Sequence, residues 1–363
     1  MEYRTLPHGG EKLSVIGLGL GIVKPEDYPQ ALLEYALEQG INFFDLCIAF
    51  EDVWQAVRPT LALHRAQVFT QMHLGAAYKH GAYAFTRNLN TIQKTFLEKL
   101  ALSGLDYTDF LMLHCIDEEA DLKLVLDKGI YAFAQDCLRQ GLARHLGFST
   151  HNPTIAQKLL DIGGFDLFMF SINAAFDFKA DGELALGDHA ARAALYQQAA
   201  AQGVGISVMK PFAGGQLLDA RLSPLGVALS VPQCLHYCLD RPAVLSCLTG
   251  ACRKEEIDAS LRYLTYPQER DYAAAMAPAN LVQNLKRCVY CNHCAPCPKQ
   301  LNVALINKYY DLSRLGDELA RAHYRQLSHH AGECNDCGHC DKRCPFHTPQ
   351  MARMHEIAAY FGF

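Results

Sequence analysis

The apolar runs DFLMLHC (residues 109–115) and ARHLGFS (residues 143–149) enclose an amphipathic stretch of helical period over residues 124–140. Short apolar runs of this kind are typical of strands that are buried on both faces. Gly141 follows the amphipathic stretch, as glycine commonly does where a helix ends. The segment therefore predicts a strand, a crossover helix and a second, parallel strand.

The same alternation extends along the chain in both directions, after a short N-terminal hairpin that turns at residues 8–10. Further strands are predicted near residues 14–19 and at 42–47, 67–73, 165–173, 205–210 and 244–250. Further helices are predicted at residues 27–39, 52–63, 88–103, 153–162, 190–202, 231–239 and 253–264. Eight strand–helix units within about 250 residues are the signature of a (β/α)8 TIM barrel of the α/β class.

An open, doubly wound sheet is the competing architecture. It would carry a G-x-G-x-x-G phosphate loop after its first strand, and the glycines at 17, 19 and 21 do not have that spacing. The alternation stops near residue 268, and residues 275–287 and 303–326 have helical patterns. We therefore predict a barrel domain over residues 1–268 and a smaller, mainly α-helical domain over residues 269–363.

Composition limits the classes of partner and the compartment. Half of the 363 residues are hydrophobic, a fifth are charged, and the formal net charge is −5. Such a mild charge gives no reason to expect nucleic acid or a membrane surface as a partner. The sequence has no readable signal peptide and no apolar stretch of bilayer length. We expect a soluble, cytoplasmic protein that acts on a small molecule.

Eight of the fifteen cysteines crowd into two short runs near the C-terminus, whereas the other seven are scattered through mostly apolar segments. This distribution indicates bound metal in a reducing compartment and not a disulfide scaffold. The first run is C-x2-C-x2-C-x2-C-P and the second is C-x2-C-x2-C-x3-C-P. Their cysteines are Cys288, Cys291, Cys294 and Cys297, then Cys334, Cys337, Cys340 and Cys344.

This spacing predicts two [4Fe–4S] clusters in a ferredoxin-like arrangement. In two-cluster ferredoxins the cysteine before the proline ligates the other cluster, so we expect crossed ligation. One cluster would take the first three cysteines of the first run with Cys344, and the other would take the first three of the second run with Cys297. Zinc sites instead use two cysteine pairs separated by a dozen or more residues. The clusters could transfer electrons or serve only to hold the domain together, and two neighbouring clusters favour electron transfer.

Polar side chains stand at the carboxyl ends of the predicted barrel strands, where TIM barrels carry their chemistry. These positions are Asp45, His73, His114, Ser149 with His151, Asn173, Lys210 and Gly250. Any one of them could serve a structural role, but the set as a whole predicts a functional pocket.

The runs GINFFDLCIAF (40–50), VFTQMHLG (68–75), DYTDFLMLH (106–114) and GFSTHN (147–152) resemble the aldo-keto reductases. So do SIN (171–173), SVMKPFAGGQLL (207–218) and SCLTGACRKEEI (246–257). The cysteine runs are similar to those of a bacterial subgroup of that superfamily, which carries a two-cluster ferredoxin-like tail. The resemblance covers nearly the whole chain and implies an oxidoreductase.

The family reduces carbonyls with an Asp, Tyr, Lys and His set, in which the tyrosine protonates the carbonyl oxygen. The resemblance places the Asp at Asp45 and the His at His114, whereas the Tyr position is Phe50 and the Lys position is His73. Phenylalanine cannot donate a proton. Asp45, His73 and His114 are therefore the candidate catalytic residues, with Tyr78 or Tyr83 as alternative proton donors.

The nicotinamide site that the resemblance implies is also changed. Ser149 and Asn173 match the residues that bind the carboxamide, while the expected Gln and the stacking aromatic fall at Met169 and Met209. The Glu-Asn pair expected near the adenosine reads Ala259-Ser260. The remaining candidate cofactor-binding residues are Lys210, Gly250 and Arg253, the last of which could bind a phosphate together with Lys254.

Four functions are compatible with these residues. The first is a redox enzyme that acts on a small polar carbonyl or alcohol, with clusters that exchange electrons with a protein partner or with a bound cofactor such as flavin. The second is an NAD(P)H-dependent carbonyl reductase with structural clusters. The third is a non-redox lyase or isomerase that uses His73 and His114, and the fourth is a catalytically silent electron carrier or assembly protein.

Overall fold

A closed barrel of eight parallel strands forms the body of the protein, as the alternating sequence pattern predicts. The computed structural model describes residues 1–79, 82–177, 189–272, 288, 294–314, 318–344 and 348–363. The strands are, in chain order, β1 (Tyr3–Thr5), β2 (Lys12–Ser14), β3 (Ile16–Gly19), β4 (Phe43–Asp45), β5 (Phe69–Leu74), β6 (Ala76–Lys79), β7 (Ala82–Phe85), β8 (Thr108–Leu113), β9 (Ala143–Thr150), β10 (Leu167–Ser171), β11 (Gly205–Met209) and β12 (Val244–Thr249).

The barrel closes in the order β3, β4, β5, β8, β9, β10, β11, β12, with β12 pairing back to β3. The helices of the chain are α1 (Pro29–Glu38), α2 (Glu51–Leu63), α3 (Leu89–Ser103), α4 (Glu119–Asp127), α5 (Ile130–Arg139), α6 (Pro153–Ile162), α7 (Ala174–Asp177), α8 (His189–Gln202), α9 (Val231–Leu239), α10 (Lys254–Thr265), α11 (Val303–Ser313), α12 (Glu318–Arg325), α13 (His339–Arg343) and α14 (Gln350–Phe361). A continuous apolar core lies between the strands and the surrounding helices.

The antiparallel hairpin β1–β2 packs against the barrel at the end where the strands begin. Leu6 and Leu13 of this hairpin are fully buried and join a cluster of interior residues that includes Phe43, Phe110 and Leu167. These apolar side chains fill the barrel interior near the amino ends of the strands. Active sites of such barrels lie at the opposite end, where the strands end.

Two local differences from the predicted elements have clear causes. The helix expected over residues 124–140 is divided into α4 and α5, because Gly129 between them adopts a left-handed φ of 78° that no helix tolerates. The segment after β5, expected as a loop, forms the antiparallel hairpin β6–β7.

Within its described residues, the C-terminal segment contains the helices α11 to α14, joined by irregular segments. The predicted helix over residues 303–326 corresponds to α11 and α12, and the one expected over residues 275–287 lies outside the described residues. A second apolar core holds this segment together, with Tyr324 stacked on Phe361 at 3.7 Å between ring centroids. Helix α12 contacts β7, so the segment packs beside the functional end of the barrel.

Among the described helices, none combines the length and the apolar character that a bilayer crossing requires. The cysteines in the described ranges are free thiols.

Candidate active site

A cavity of about 450 Å³, open to solvent, lies at the carboxyl ends of the barrel strands. Several residues predicted at the strand ends line it, namely Asp45, His73, His114, Ser149, His151, Lys210 and Gly250. The barrel register explains this convergence, because parallel strands all deliver their last residues to the same rim. The structure thus brings together the larger part of the predicted set.

Asp45, His73 and His114 form a continuous hydrogen-bonded chain across three neighbouring strands. Asp45 ends β4, His73 lies near the end of β5, and His114 directly follows β8. The Asp45 Oδ1 atom lies 2.9 Å from His73 Nε2, and His73 Nδ1 lies 3.0 Å from His114 Nδ1. All three side chains are buried, so the chain is protected from bulk water while it borders the cavity.

The carboxylate decides the tautomers along this chain. Asp45 can only accept, so the Nε2–H of His73 donates to it and the Nδ1 of a neutral His73 keeps a lone pair. The amide nitrogen of Gln71 lies 3.2 Å from the same Nε2, farther away than the carboxylate oxygen at 2.9 Å. His114 then donates its Nδ1–H to His73, and its Nε2 is the ring nitrogen that can accept a proton. Burial, with the nearby His73 adding to it, lowers the pKa of His114 well below the usual value.

Phe50, at the position of the family tyrosine, does not line the cavity. It precedes α2 and packs, half-buried, against the main apolar core. Tyr78 of β6 does line the cavity, and its hydroxyl donates to the Cys47 carbonyl at 2.9 Å. Burial and the neighbouring Cys47 raise the pKa of Tyr78 well above the usual value, so its phenol stays protonated. The side chain of Tyr83 falls outside the described part of the structure.

The residues expected at a nicotinamide carboxamide are engaged with the backbone. Ser149 lines the cavity, and its Oγ accepts from the Cys115 N–H at 2.7 Å. Asn173 is fully buried and does not line the cavity, because its amide donates to the Lys210 carbonyl and accepts from the Phe176 N–H, each at 2.9 Å. The structure therefore separates this predicted pair.

The remaining cofactor-binding candidates occupy two different environments. Lys210 follows β11 with a left-handed φ of 58°, a conformation that non-glycine residues adopt mainly where the surroundings impose it. Gly250 lines the cavity beside Ala259 and Ser260 of α10. Arg253 is exposed and forms an ion pair with Glu256 at 2.8 Å. Glu256 lines the cavity, whereas Arg253 does not.

The C-terminal segment contributes one wall of the cavity through His323 of α12. Its Nε2 lies 3.2 Å from the Sγ of Cys115, which follows His114 in the chain. Sequence reasoning missed both residues. Cys115 could have been found, because it directly follows the predicted strand that ends in His114. His323 could not, because nothing in its own helical pattern indicates a contact with a residue two hundred positions earlier.

A separate small cavity in the C-terminal segment is lined by four predicted cluster ligands. Cys297 of the first run meets Cys334, Cys337 and Cys340 of the second run there, surrounded by apolar side chains such as Leu301 and Met354. Four thiols around one apolar cavity are the donor set that a [4Fe–4S] cluster uses. Three further predicted ligands are also buried, namely Cys288, Cys294 and Cys344. The remaining one, Cys291, lies outside the described residues.

Residues 15–228, more than half of the chain, match the Aldo/keto reductase family. The protein therefore belongs to the aldo/keto reductase family, whose members are oxidoreductases. It is 24% identical over 174 residues to the L-glyceraldehyde 3-phosphate reductases of Escherichia coli strains K12 and O157:H7, covering 45% of this chain and 49% of each relative. The chain thus spans about half the length of the curated relatives that it matches.

Solved structures share the fold. The holo form of an aldo-keto reductase from Bacillus halodurans superimposes with a TM-score of 0.62 at 19% identity, covering 78% of this chain and 99% of that one. A putative aldo-keto reductase from Pseudomonas aeruginosa gives a TM-score of 0.56 at 19% identity, covering 72% and 95% of the two chains.

Proposed function

We propose that this protein is an iron–sulfur oxidoreductase of the aldo-keto reductase type that interconverts a small polar alcohol and its carbonyl compound. The observation that carries the proposal is the Asp45–His73–His114 chain at the cavity. The chain comprises three of the four positions of the family set, with His73 at the Lys position, whereas the position of the proton-donating tyrosine is Phe50. The match to L-glyceraldehyde 3-phosphate reductases supports a small, polar carbonyl substrate.

In this proposal His114 exchanges the proton with the substrate oxygen, and His73 and Asp45 position it. Both ring nitrogens of His73 are engaged, one by Asp45 and the other by His114, so His73 cannot itself reach a substrate. A proton received at His114 Nε2 can be matched by transfer of its Nδ1–H to His73. The resulting imidazolium lies against the Asp45 carboxylate, which stabilises it.

We assign residues 269–363 to a two-cluster iron–sulfur domain and residues 1–268 to the barrel. The cavity lined by Cys297, Cys334, Cys337 and Cys340 supports one crossed ligand set. The other set would be Cys288, Cys291, Cys294 and Cys344. Reduction of a carbonyl to an alcohol consumes two electrons and two protons. Two clusters that each exchange one electron would match the electrons. A flavin or nicotinamide bound in the cavity would take them up with one proton and supply them to the carbon as hydride, while His114 would supply the proton of the oxygen. An electron-carrier protein would supply or collect the electrons.

A second candidate is an NAD(P)H-dependent carbonyl reductase whose clusters are only structural. Small residues at one side of the cavity favour it, because Gly250, Ala259 and Ser260 leave room for an extended cofactor such as a nicotinamide dinucleotide or a flavin. When bound, such a cofactor supplies or accepts the hydride. The engaged side chains of Ser149 and Asn173 argue for a changed mode of holding the nicotinamide ring.

The test begins with anaerobic purification, followed by iron, sulfide and bound-cofactor analysis. Dithionite-reduced protein is then mixed with small polar aldehydes, glyceraldehyde 3-phosphate first, while the cluster absorbance is monitored. We expect aldehyde-dependent reoxidation in the wild type and in the control His64→Ala. In His114→Ala the reoxidation rate should fall about 100-fold or more, because positioned proton transfer contributes about that much.

Several outcomes would decide against the proposal. Zinc in place of iron and sulfide would remove its electron-transfer part. NADPH oxidation by the aldehyde without any change in the clusters would establish the second candidate. Full reoxidation in His114→Ala would show that the proton donor lies elsewhere.

A further inference from the structure

Three side chains that commonly bind metals converge at the wall of the cavity, apart from the two cysteine runs. Cys115 follows β8, His151 follows β9, and His323 comes from α12. Each residue offers one ligand atom, and these three atoms all lie within 4.8 Å of one another. All three residues are buried and all three line the cavity, so the group is enclosed by protein but reachable from the substrate side.

His151 is oriented as a metal ligand. Its Nδ1 lies 2.9 Å from the Oδ2 of Asp117, a carboxylate that can only accept, so Nδ1 carries the proton and Nε2 keeps its lone pair. That Nε2 has no hydrogen-bond partner in the described part of the chain, although His151 is only 3% exposed. A carboxylate that fixes a histidine so that its other nitrogen faces inward is the usual support of a metal-binding imidazole.

Asp117 is itself held firmly in place. Its Oδ1 accepts from the His151 N–H at 2.6 Å and from the Thr150 hydroxyl at 3.0 Å. These two bonds hold the carboxylate against the imidazole ring of His151.

Cys115 and His323 complete the group from the two halves of the chain. The Sγ of Cys115 lies 3.2 Å from the Nε2 of His323, slightly less than the separation of about 3.5 Å between sulfur and nitrogen ligands on tetrahedral zinc. Cys115 adopts a left-handed φ of 49°, a backbone conformation that persists in a non-glycine residue only where its surroundings impose it. The backbone thus holds this thiol towards His323.

We propose that Cys115, His151 and His323 bind one divalent transition-metal ion of the zinc type, with the fourth coordination position open to the cavity. One thiolate and two imidazoles suit zinc, and three protein ligands with an open position distinguish catalytic from structural zinc sites. The ion would meet water or the substrate oxygen within the same cavity as His114. It would also join the barrel to the C-terminal segment. The site is independent of the iron–sulfur clusters.

The test is metal analysis of the anaerobically purified full-length protein, restricted to preparations with a complete iron and sulfide content so that zinc does not occupy vacant cluster sites. After dialysis against Zn²⁺ and then metal-free buffer, we expect one tightly held zinc per chain. His151→Ala and His323→Ala should lose it and keep their iron and sulfide. Cys137→Ala, which removes a buried thiol far from the cavity, should retain both metals.

Two further measurements protect the test against misfolding. Asp117→Asn keeps the shape of the supporting residue and should weaken zinc binding about 10-fold to 100-fold. Co²⁺ in place of zinc should give the visible absorption of a tetrahedral ion, absent in His151→Ala. Equal zinc content in His151→Ala, His323→Ala and Cys137→Ala, or no retained zinc in the wild type, would overturn the site. Neither result would affect the iron content on which the proposed function depends.

Discussion

The Nδ1 atoms of His73 and His114 face each other at 3.0 Å, and Asp45 closes the other side of His73 at 2.9 Å. The two imidazole rings lie side by side because β5 and β8 are neighbouring strands of the barrel, and each places one histidine at the rim. Because His73 contacts both Asp45 and His114, we propose that His114 is the histidine that contacts the substrate.

Replacing Asp45 by asparagine should therefore reverse the tautomers while preserving the shape of the site. The new amide can donate to His73 Nε2, which would place two N–H groups against each other between His73 and His114. We expect the turnover rate to fall about 100-fold to 10 000-fold. Steady-state kinetics check this, with Asp136→Asn, an exposed surface carboxylate, as the control. Unchanged turnover in Asp45→Asn would mean that the chain has no part in the reaction.

Crossed ligation can be tested by combining cysteine variants. If Cys297 and Cys334 hold the same cluster, the double variant Cys297→Ala/Cys334→Ala should lose no more iron than either single variant. The pair Cys294→Ala/Cys297→Ala should lose the iron of both clusters, because crossed ligation places these two cysteines of the same run in different sets. Iron and sulfide analysis gives the answer, and Cys252→Ala serves as the control thiol. The reverse pattern would indicate uncrossed clusters.

The stability of the N-terminal hairpin should depend on pH through His145. Its Nε2 lies 3.0 Å from a carboxylate oxygen of Glu11, and its Nδ1 lies 2.9 Å from one of Asp166. Burial lowers the pKa of His145, but the hydrogen bonds and charges of the two carboxylates outweigh burial and raise this pKa in the folded protein. The resulting stability is fully present below the ordinary histidine pKa of about 6.5 and is lost as the pH rises through the raised value.

His145→Gln should therefore destabilise the protein by about 1–3 kcal/mol at pH 5.5 and by less at pH 9. Chemical denaturation at the two pH values measures the difference, with His64→Gln for comparison. A cost that is the same at both pH values would show that the ionised imidazole contributes nothing.

Gly147 should tolerate no side chain, because β9 and β10 approach each other closely there. A Cβ at this position would lie 2.4 Å from the Leu167 carbonyl oxygen and 2.5 Å from the Met112 sulfur. Since a backbone oxygen in the barrel wall cannot move aside, we expect Gly147→Ala to cost about 2 kcal/mol or more. At Gly19 a Cβ would meet its nearest atom at 3.7 Å, so Gly19→Ala is the matched control in thermal unfolding. Equal melting temperatures would contradict the clash.

The barrel could be predicted from the sequence because each of its strands is a short apolar run followed by a helical pattern. Such local patterns can be recognised without knowing the fold. The division at Gly129 was not predicted, since the amphipathic pattern continues across it and only the backbone angle reveals the break.

The active site was predictable only in part. Asp45, His73 and His114 are found because strand ends can be read from the sequence, and parallel strands bring their ends together. The engagement of Asn173 by the Lys210 carbonyl and the arrival of His323 from α12 depend on contacts between distant segments, which no local pattern encodes.

His323 also has a consequence for any attempt to separate the two halves of the chain. Because His323 belongs to the wall of the cavity, removing or exchanging the C-terminal segment would open that wall. A barrel that acquired a different tail would acquire a different chamber as well.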